Sequence, residues 1–193
     1  MLKDLVRKNR SYRGFDESVK ITRGQLEEIV DCARLTPFSQ NFQSFKYYLS
    51  CDDETNAKIQ PLTAWARWLQ PMELPHKGHY PTAFIVICYD TDIGTGAQRF
   101  MKDVGIVAQT MLLAAVEMEL GGIMIGNFSP EKISQALSLP ENMQPVLVIA
   151  LGKPDEAIVI TDLPDGGDIQ YYRDENDVHY VPKRSLSELI INK

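Results

Sequence analysis

The apolar positions along this chain change period several times, and each change marks an element. Leu2, Leu5 and Val6 share one side of residues 2–9, which predicts a short amphipathic helix, and residues 9–15 are expected to be loop or extended. Thr22, with Gln25 three residues on, has the S/T-x-x-E/Q pattern of a capped helix start. Leu26, Ile29, Val30 and Ala33 continue that helix to about Leu35, and Thr36-Pro37 ends it. Residues 45–51 are aromatic and apolar and suit a strand. Residues 54–68 are predicted helical around Ile59, Leu62 and Trp65, and the prolines and glycine of residues 70–81 make a loop. The run AFIVICY at residues 83–89 predicts a buried strand.

The longest periodic stretch is residues 96–119, where Val104, Val107, Ala108, Met111, Leu112, Ala115 and Met118 fall at helical spacing. It is apolar on most sides over its middle, which predicts a central buried helix, with Gly121-Gly122 as its terminator. Residues 123–125 then read as a short strand, Ser129-Pro130 as the cap of a helix to about Leu137, and residues 146–151 as a last buried strand closed by Gly152. Residues 153–193 form a polar extension with a short final helix at 185–191. It is too polar for a core of its own and is expected to wrap this subunit or a partner. Strands interspersed with long helices give a layered α/β architecture in one domain.

Composition narrows the class. A chain of 193 residues that is 44% hydrophobic and 24% charged is an ordinary globular protein. No apolar run approaches the roughly 20 residues that span a bilayer. The first fifteen residues lack the apolar core of a secretory signal, so a cytoplasmic location is expected. Cys32, Cys51 and Cys88 are too few and too widely spaced for a disulfide framework or a zinc site. His76, His79 and His179 have no metal-ligand spacing, so no metal is expected. The net charge of −6 argues against nucleic acid as a partner. Within that acidic chain, however, Lys3, Arg7, Lys8, Arg10 and Arg13 crowd the start, and Lys183 and Arg184 sit near the end. Such clusters are either solvated faces or the grip on a specific anion.

Three segments have chemistry to offer. Asn9-Arg10-Ser11-Tyr12-Arg13 sets two guanidinium forks around a short hydroxyl, which suits phosphate. Pro37-Phe38-Ser39-Gln40-Asn41-Phe42-Gln43 is dense in hydroxyl and amide groups, which can donate and accept along the edge of a heterocycle or simply build a turn. Gly121-Gly122-Ile123-Met124-Ile125-Gly126-Asn127-Phe128 could let backbone approach a flat ligand, but it lacks the G-x-G-x-x-G spacing of a dinucleotide site. No G-x-S-x-G occurs.

Taken in chain order, the motifs make a set. Arg-Ser-x-Arg at 10–13, Pro-x-Ser-x-Asn-x-Gln at 37–43, and Asp-x-Gly-x-x-x-Gln-x-x-x-Leu-x-Ala at 103–115 come first. Gly-Gly-x-x-Ile-Gly-x-Phe at 121–128, Leu-Gly-Lys-Pro at 151–154 and Pro-Lys-Arg at 182–184 follow. Together they resemble the nitroreductase family, in a compact bacterial form. The resemblance implies an α+β fold, a three-layer α-β-α sandwich with a central buried helix and a C-terminal extension that wraps the dimer partner. It implies a homodimer with FMN at the interface and NAD(P)H as electron donor. By position, Arg10, Ser11 and Arg13 would hold the flavin phosphate, ribityl chain and N1/O2 edge, and Lys183 and Arg184 would close on the phosphate. Ser39, Asn41 and Gln43 would meet the flavin from the other subunit. Met124, Ile125, Gly126 and Asn127 would line the ring, with a backbone N–H near Gly126 addressing N5. Many relatives have Arg where this chain has Asn9, and Phe38 occupies an often small position.

The reaction so implied is ping-pong: hydride passes from NAD(P)H to flavin N5, then electrons pass to a small acceptor such as a nitroaromatic, quinone or enone. No side chain need act as acid or base. The alternatives are a non-catalytic flavin-binding or storage protein, and an FMN enzyme of different chemistry such as reductive dehalogenation or flavin destruction.

Overall fold

A computed structural model describes residues 1–93 and 96–192, apart from the side chains of Gln98 and Arg99. Its centre is β3 (Ala83–Asp90), the apolar run of the sequence, buried at every position. Antiparallel partners flank it: β2 (Phe45–Ser50) on one side and the long β5 (Met143–Pro154) on the other. The far edge of β5 carries both β4 (Gly121–Ile125) and the two-residue β1 (Phe15–Asp16), again antiparallel. An antiparallel sheet interspersed with helices is α+β rather than parallel α/β.

The period of two in β3 divides the core. Ile85 and Ile87 face one apolar cluster with Ile149 and Leu151 of β5, covered by α2 (Arg23–Arg34) and α4 (Met101–Glu117). Phe84, Val86 and Cys88 face a second cluster with Val148, Ala150, Ile123 and Ile125. This one is covered by Ile59 of α3 (Asp53–Ile59) and by Ile133 and Leu137 of α5 (Pro130–Leu137). Helices on both faces of one sheet make the three layers. The Cys88 thiol lies in the second cluster, and burial pushes its pKa up to about 12.

Three features differ from the sequence expectation. The helix expected over 54–68 stops at Ile59 and continues as a 3₁₀ turn, Gln60–Leu62, because Pro61 cannot donate to the helical ladder. The central helix is buried over its middle as expected, with Met101, Gly105, Ile106 and Gln109 exposed along one strip. Gly121 and Gly122 do not terminate that helix. Glu119 does, at a left-handed φ of 57°. The N–H of Leu120 reaches Ala115 O and that of Glu119 reaches Val116 O, the two bonds of a Schellman cap. The polar extension is itself ordered. β6 (Ile158–Asp162), β8 (His179–Lys183) and β7 (Tyr172–Arg173) form a second sheet in that order, followed by α6 (Leu186–Leu189). Among the described residues no helix is long and apolar enough to cross a membrane.

The glycines belong to β4 for a steric reason. Residues 11–12 lie along this strand, bridged at Ser11 and Gly122, with Tyr12 N donating to Gly122 O at 3.2 Å. A Cβ at Gly121 would come within 2.6 Å of the Tyr12 ring, and one at Gly122 within 2.5 Å of Ala150 O. Because the obstacle at Gly122 is backbone, Gly122→Ala is expected to destabilise the fold by about 1–3 kcal/mol, the range for overpacking a core. Urea unfolding measures this, and an unchanged midpoint would contradict the steric account.

Candidate functional site

The approach of residues 10–13 to β4 opens a cavity of about 300 Å³, at the small end of ligand pockets. Asn9, Arg10, Ser11 and Arg13 line one side. Met124 of β4 with Gln109 and Leu112 of α4 forms the floor. The remaining wall comes from the extension: Ile158, Tyr171, His179, Val181 and Lys183. Among the described lining residues four side chains are Arg, Lys or His, and none is Asp or Glu.

Arg13 is the deepest of the cations, only 7% exposed. Its guanidinium donates to Ser11 O at 3.0 Å and lies 4.9 Å from the centre of the Tyr171 ring, a cation–π distance. Burial draws its pKa below the ordinary arginine value, against the pull of Tyr171 and Glu156, and an arginine so displaced still carries its charge at neutral pH. Arg10 donates through Nη2 to Val6 O at 2.8 Å, and burial lowers its pKa as well. Three buried nitrogens around the cavity have no hydrogen-bond partner among the described residues: Arg10 Nε, Arg13 Nε and His179 Nε2. Buried donors without acceptors are costly, and here they belong to residues that line a cavity.

A carboxylate lies behind this wall rather than in it. Glu156 accepts from the backbone N–H of Arg13 and from the Arg173 guanidinium. Arg173 and Glu156 are nearly fully buried, and Arg173 also pairs with Asp177 at 2.8 Å. Burial raises the Glu156 pKa, opposed by the Arg13 N–H and the two guanidinium groups. The network ties the extension to the segment that carries Arg13. Two further pairs tie it to the 70–81 loop: His76 with Asp177 at 3.4 Å and His79 with Asp155 at 3.0 Å.

The residues singled out in sequence separate into two groups. Arg10, Ser11, Arg13, Met124 and Lys183 come together at the cavity. Arg184 does not line it, and pairs with Glu188 at 3.1 Å. Ile125 turns its side chain into the second apolar cluster, as strand alternation requires of a neighbour of Met124. Gly126 and Asn127 follow β4 and are exposed, with Asn127 O accepting from Ala64 N at 2.9 Å. Ser39, Asn41 and Gln43 lie elsewhere in this subunit. Buried Asp103 accepts from Ser39 N at 3.1 Å and Ser39 Oγ at 3.0 Å, anchoring a turn in which Gln40, Asn41 and Gln43 all have positive φ. That turn leaves Asn41 and Gln43 exposed.

Sequence reasoning missed Tyr171, His179, Ile158 and Val181. Nothing local marks them, since Ile158, His179 and Val181 belong to strands of a segment read as polar extension and Tyr171 directly precedes one. Gln109 and Leu112 were within reach, because both lie in the 103–115 motif.

Residues 6–153 match the model of the nitroreductase family. The chain belongs to that family. Over 156 residues it is 28% identical to an oxygen-insensitive NADPH nitroreductase of Salmonella typhimurium, covering 78% of this chain and 65% of the relative. Over 157 residues it is 25% identical to an FMN reductase [NAD(P)H] of Bacillus subtilis, covering 76% and 63%. This nitroreductase-family chain therefore spans less than two thirds of the length of either relative. Its fold resembles that of a protein from Exiguobacterium sibiricum solved in complex with FMN, with a TM-score of 0.71 at 19% identity over 88% of this chain and 97% of the other. The family match ends at residue 153, before the segment that supplies the second wall of the cavity.

His179 is 2% exposed, and its pKa is pushed down to about 4 by burial and by the Arg13 and Arg173 guanidinium groups. The unfolded chain takes up this proton near pH 6.5, before the folded one does, so stability falls as pH drops from about 6.5 to about 4. The melting temperature of the wild type is expected to fall relative to that of His179→Phe across this window, with a constant difference above it. Parallel melting curves down to pH 4 would show that His179 is not held neutral.

Proposed function

We propose that this chain is an FMN-dependent oxidoreductase that takes electrons from NAD(P)H and passes them to a small acceptor such as a nitroaromatic, quinone or enone. The observation that carries this reading is the cavity itself. Cationic groups with buried, unpartnered nitrogens stand around a cavity that has no carboxylate among the described residues of its wall and an apolar floor at Met124 and Leu112. That donor set fits a ligand with an anionic end and a flat apolar body. The relatives' names point the same way, one being an NADPH nitroreductase and another an FMN reductase.

Bound FMN supplies the two-electron exchange. The chain's own residues bind and orient. Arg10, Ser11 and Lys183 hold the anionic end through charge-assisted hydrogen bonds and a hydroxyl. Arg13, desolvated and braced against Tyr171, stabilises negative charge on the ring edge beside it. Met124 with the backbone at Ile125, Gly126 and Asn127 lies along the ring. Ile158 and Val181 keep water from the cavity. Arg184 stands next to Lys183 and reinforces the local field.

The working unit of this proposal is a homodimer. Ser39, Asn41 and Gln43 reach the flavin of the second subunit from their anchored turn, and the extension packs against that subunit as well as its own. Exposed Met101 and Ile106 on α4, with Leu2 and Val6 of α1 (Leu2–Lys8), support an interface there.

Anaerobic addition of NADH or NADPH to the FMN-loaded protein is expected to bleach the flavin band, and menadione or a nitroarene to restore it. No bleaching with either donor would exclude the reductase, and bleaching without reoxidation by either acceptor would leave a flavin store. Lys183→Ala should weaken FMN roughly 10- to 100-fold, the equivalent of one charge-assisted bond. Arg184→Ala, already paired with Glu188, should change it less than about threefold. Equilibrium dialysis compares the two, and the reverse order would reassign the grip.

A further inference from the structure

The cavity contains one polar side chain that the family match does not reach and the reading above does not use. His179 sits on β8, its backbone N–H bonded to Ala157 O at 2.9 Å, and its ring is held edge-on against Tyr171 with centroids 5.3 Å apart. Its Nδ1 lies 3.4 Å from Arg13 Nη1. An arginine nitrogen can only donate, so this contact makes Nδ1 the acceptor and leaves the proton of the neutral ring on Nε2. The second buried guanidinium, Arg173, also opposes protonation of the ring, and Asp177 alone favours it. Nε2 is buried and has no partner among the described residues.

We propose that His179 is a ligand-binding residue of this cavity, an uncharged donor whose Nε2–H bonds an oxygen of the bound FMN while Arg13 fixes the tautomer. The inference rests on the flavin reading and extends it into the extension, past residue 153. It gives the buried N–H the acceptor that the protein does not supply. It also separates two kinds of donor in one site. Arg10, Arg13 and Lys183 attract charge, whereas a neutral imidazole adds a directional bond without adding charge.

Two variants test this on the full chain. His179→Phe keeps a buried ring and removes the donor; His179→Gln restores an N–H near the position of Nε2. Fluorescence titration should give FMN binding weakened roughly 5- to 10-fold in His179→Phe, as for one neutral hydrogen bond, and nearly wild-type binding in His179→Gln. The flavin-free melting temperature at pH 7.5 should be no lower in His179→Phe than in the wild type, because removal of the unpartnered Nε2–H offsets loss of the long Nδ1 contact and Arg13 Nη1 keeps Ser11 O as its acceptor. In ¹⁵N spectra of the wild type, the His179 ring should show the Nε2–H tautomer, with Nε2 shifting on addition of FMN. Wild-type affinity in His179→Phe, or equal losses in both variants, would overturn the donor role. If the wild type itself binds no FMN, the flavin reading fails separately. Inorganic phosphate then serves as the probe: protection of the wild type but not of His179→Phe against thermal unfolding supports the donor, and equal or absent protection in both removes it.

Discussion

The site depends on a steric concession made by three glycines at one edge of the sheet. Gly121 on β4 pairs with Gly152 on β5, Gly122 follows it opposite Leu151, and a Cβ at any of the three glycines would meet Tyr12, Ala150 O or Phe15 at 2.5–2.6 Å. Without side chains there, the N-terminal segment can lie directly on the sheet. Tyr12 and Phe15 fill the space left by the glycines. Arg10, Ser11 and Arg13 are carried to the side where Met124 emerges. A chain with side chains at these positions would lift the segment off the sheet and separate the cations from the apolar floor.

Holding cations in that position is electrostatically costly, and the surrounding groups show how the cost is met. Arg13 loses most of its water, and the Tyr171 ring and the Ser11 carbonyl replace part of it. Glu156 accepts from the Arg13 backbone N–H, and its ion pair is with Arg173. Among the described residues the Arg13 guanidinium is therefore left without an ion-pair partner in contact. A site arranged in this way favours an anion, since only an anion completes the pairing.

Much of this frame was legible in the chain. The capping box at Thr22 and Gln25, the buried run of β3 and the Ser129-Pro130 start of α5 are local signals, and local signals are what periodicity and capping report. The failures share a physical cause. Gly121 and Gly122 have the composition of a helix terminator, yet their role is set by Tyr12 and Ala150, which are distant in sequence. Glu119 adopts the left-handed conformation usual for glycine because Leu120 is needed in the core, which no propensity rule anticipates. Ile125 was grouped with Met124, although successive strand residues face opposite ways. His179 and Tyr171 had no local mark at all, because their meaning comes from contact with Arg13.

The boundary at residue 153 gives the architecture a division of labour. Up to that point the chain builds the sheet, the basic segment and Met124; beyond it, a separate small sheet supplies the opposite wall. That small sheet does not enter either apolar cluster. It is fastened by polar contacts, through Glu156 to Arg13 N, through Asp177 to His76 and Arg173, and through Asp155 to His79. That fastening, with the buried Glu156–Arg173 pair at its centre, lies outside both apolar clusters, so the packing of the core does not depend on what the extension presents to the cavity. Residues such as Ile158, His179 and Val181 can then differ without unfolding the frame, whereas Gly122 cannot.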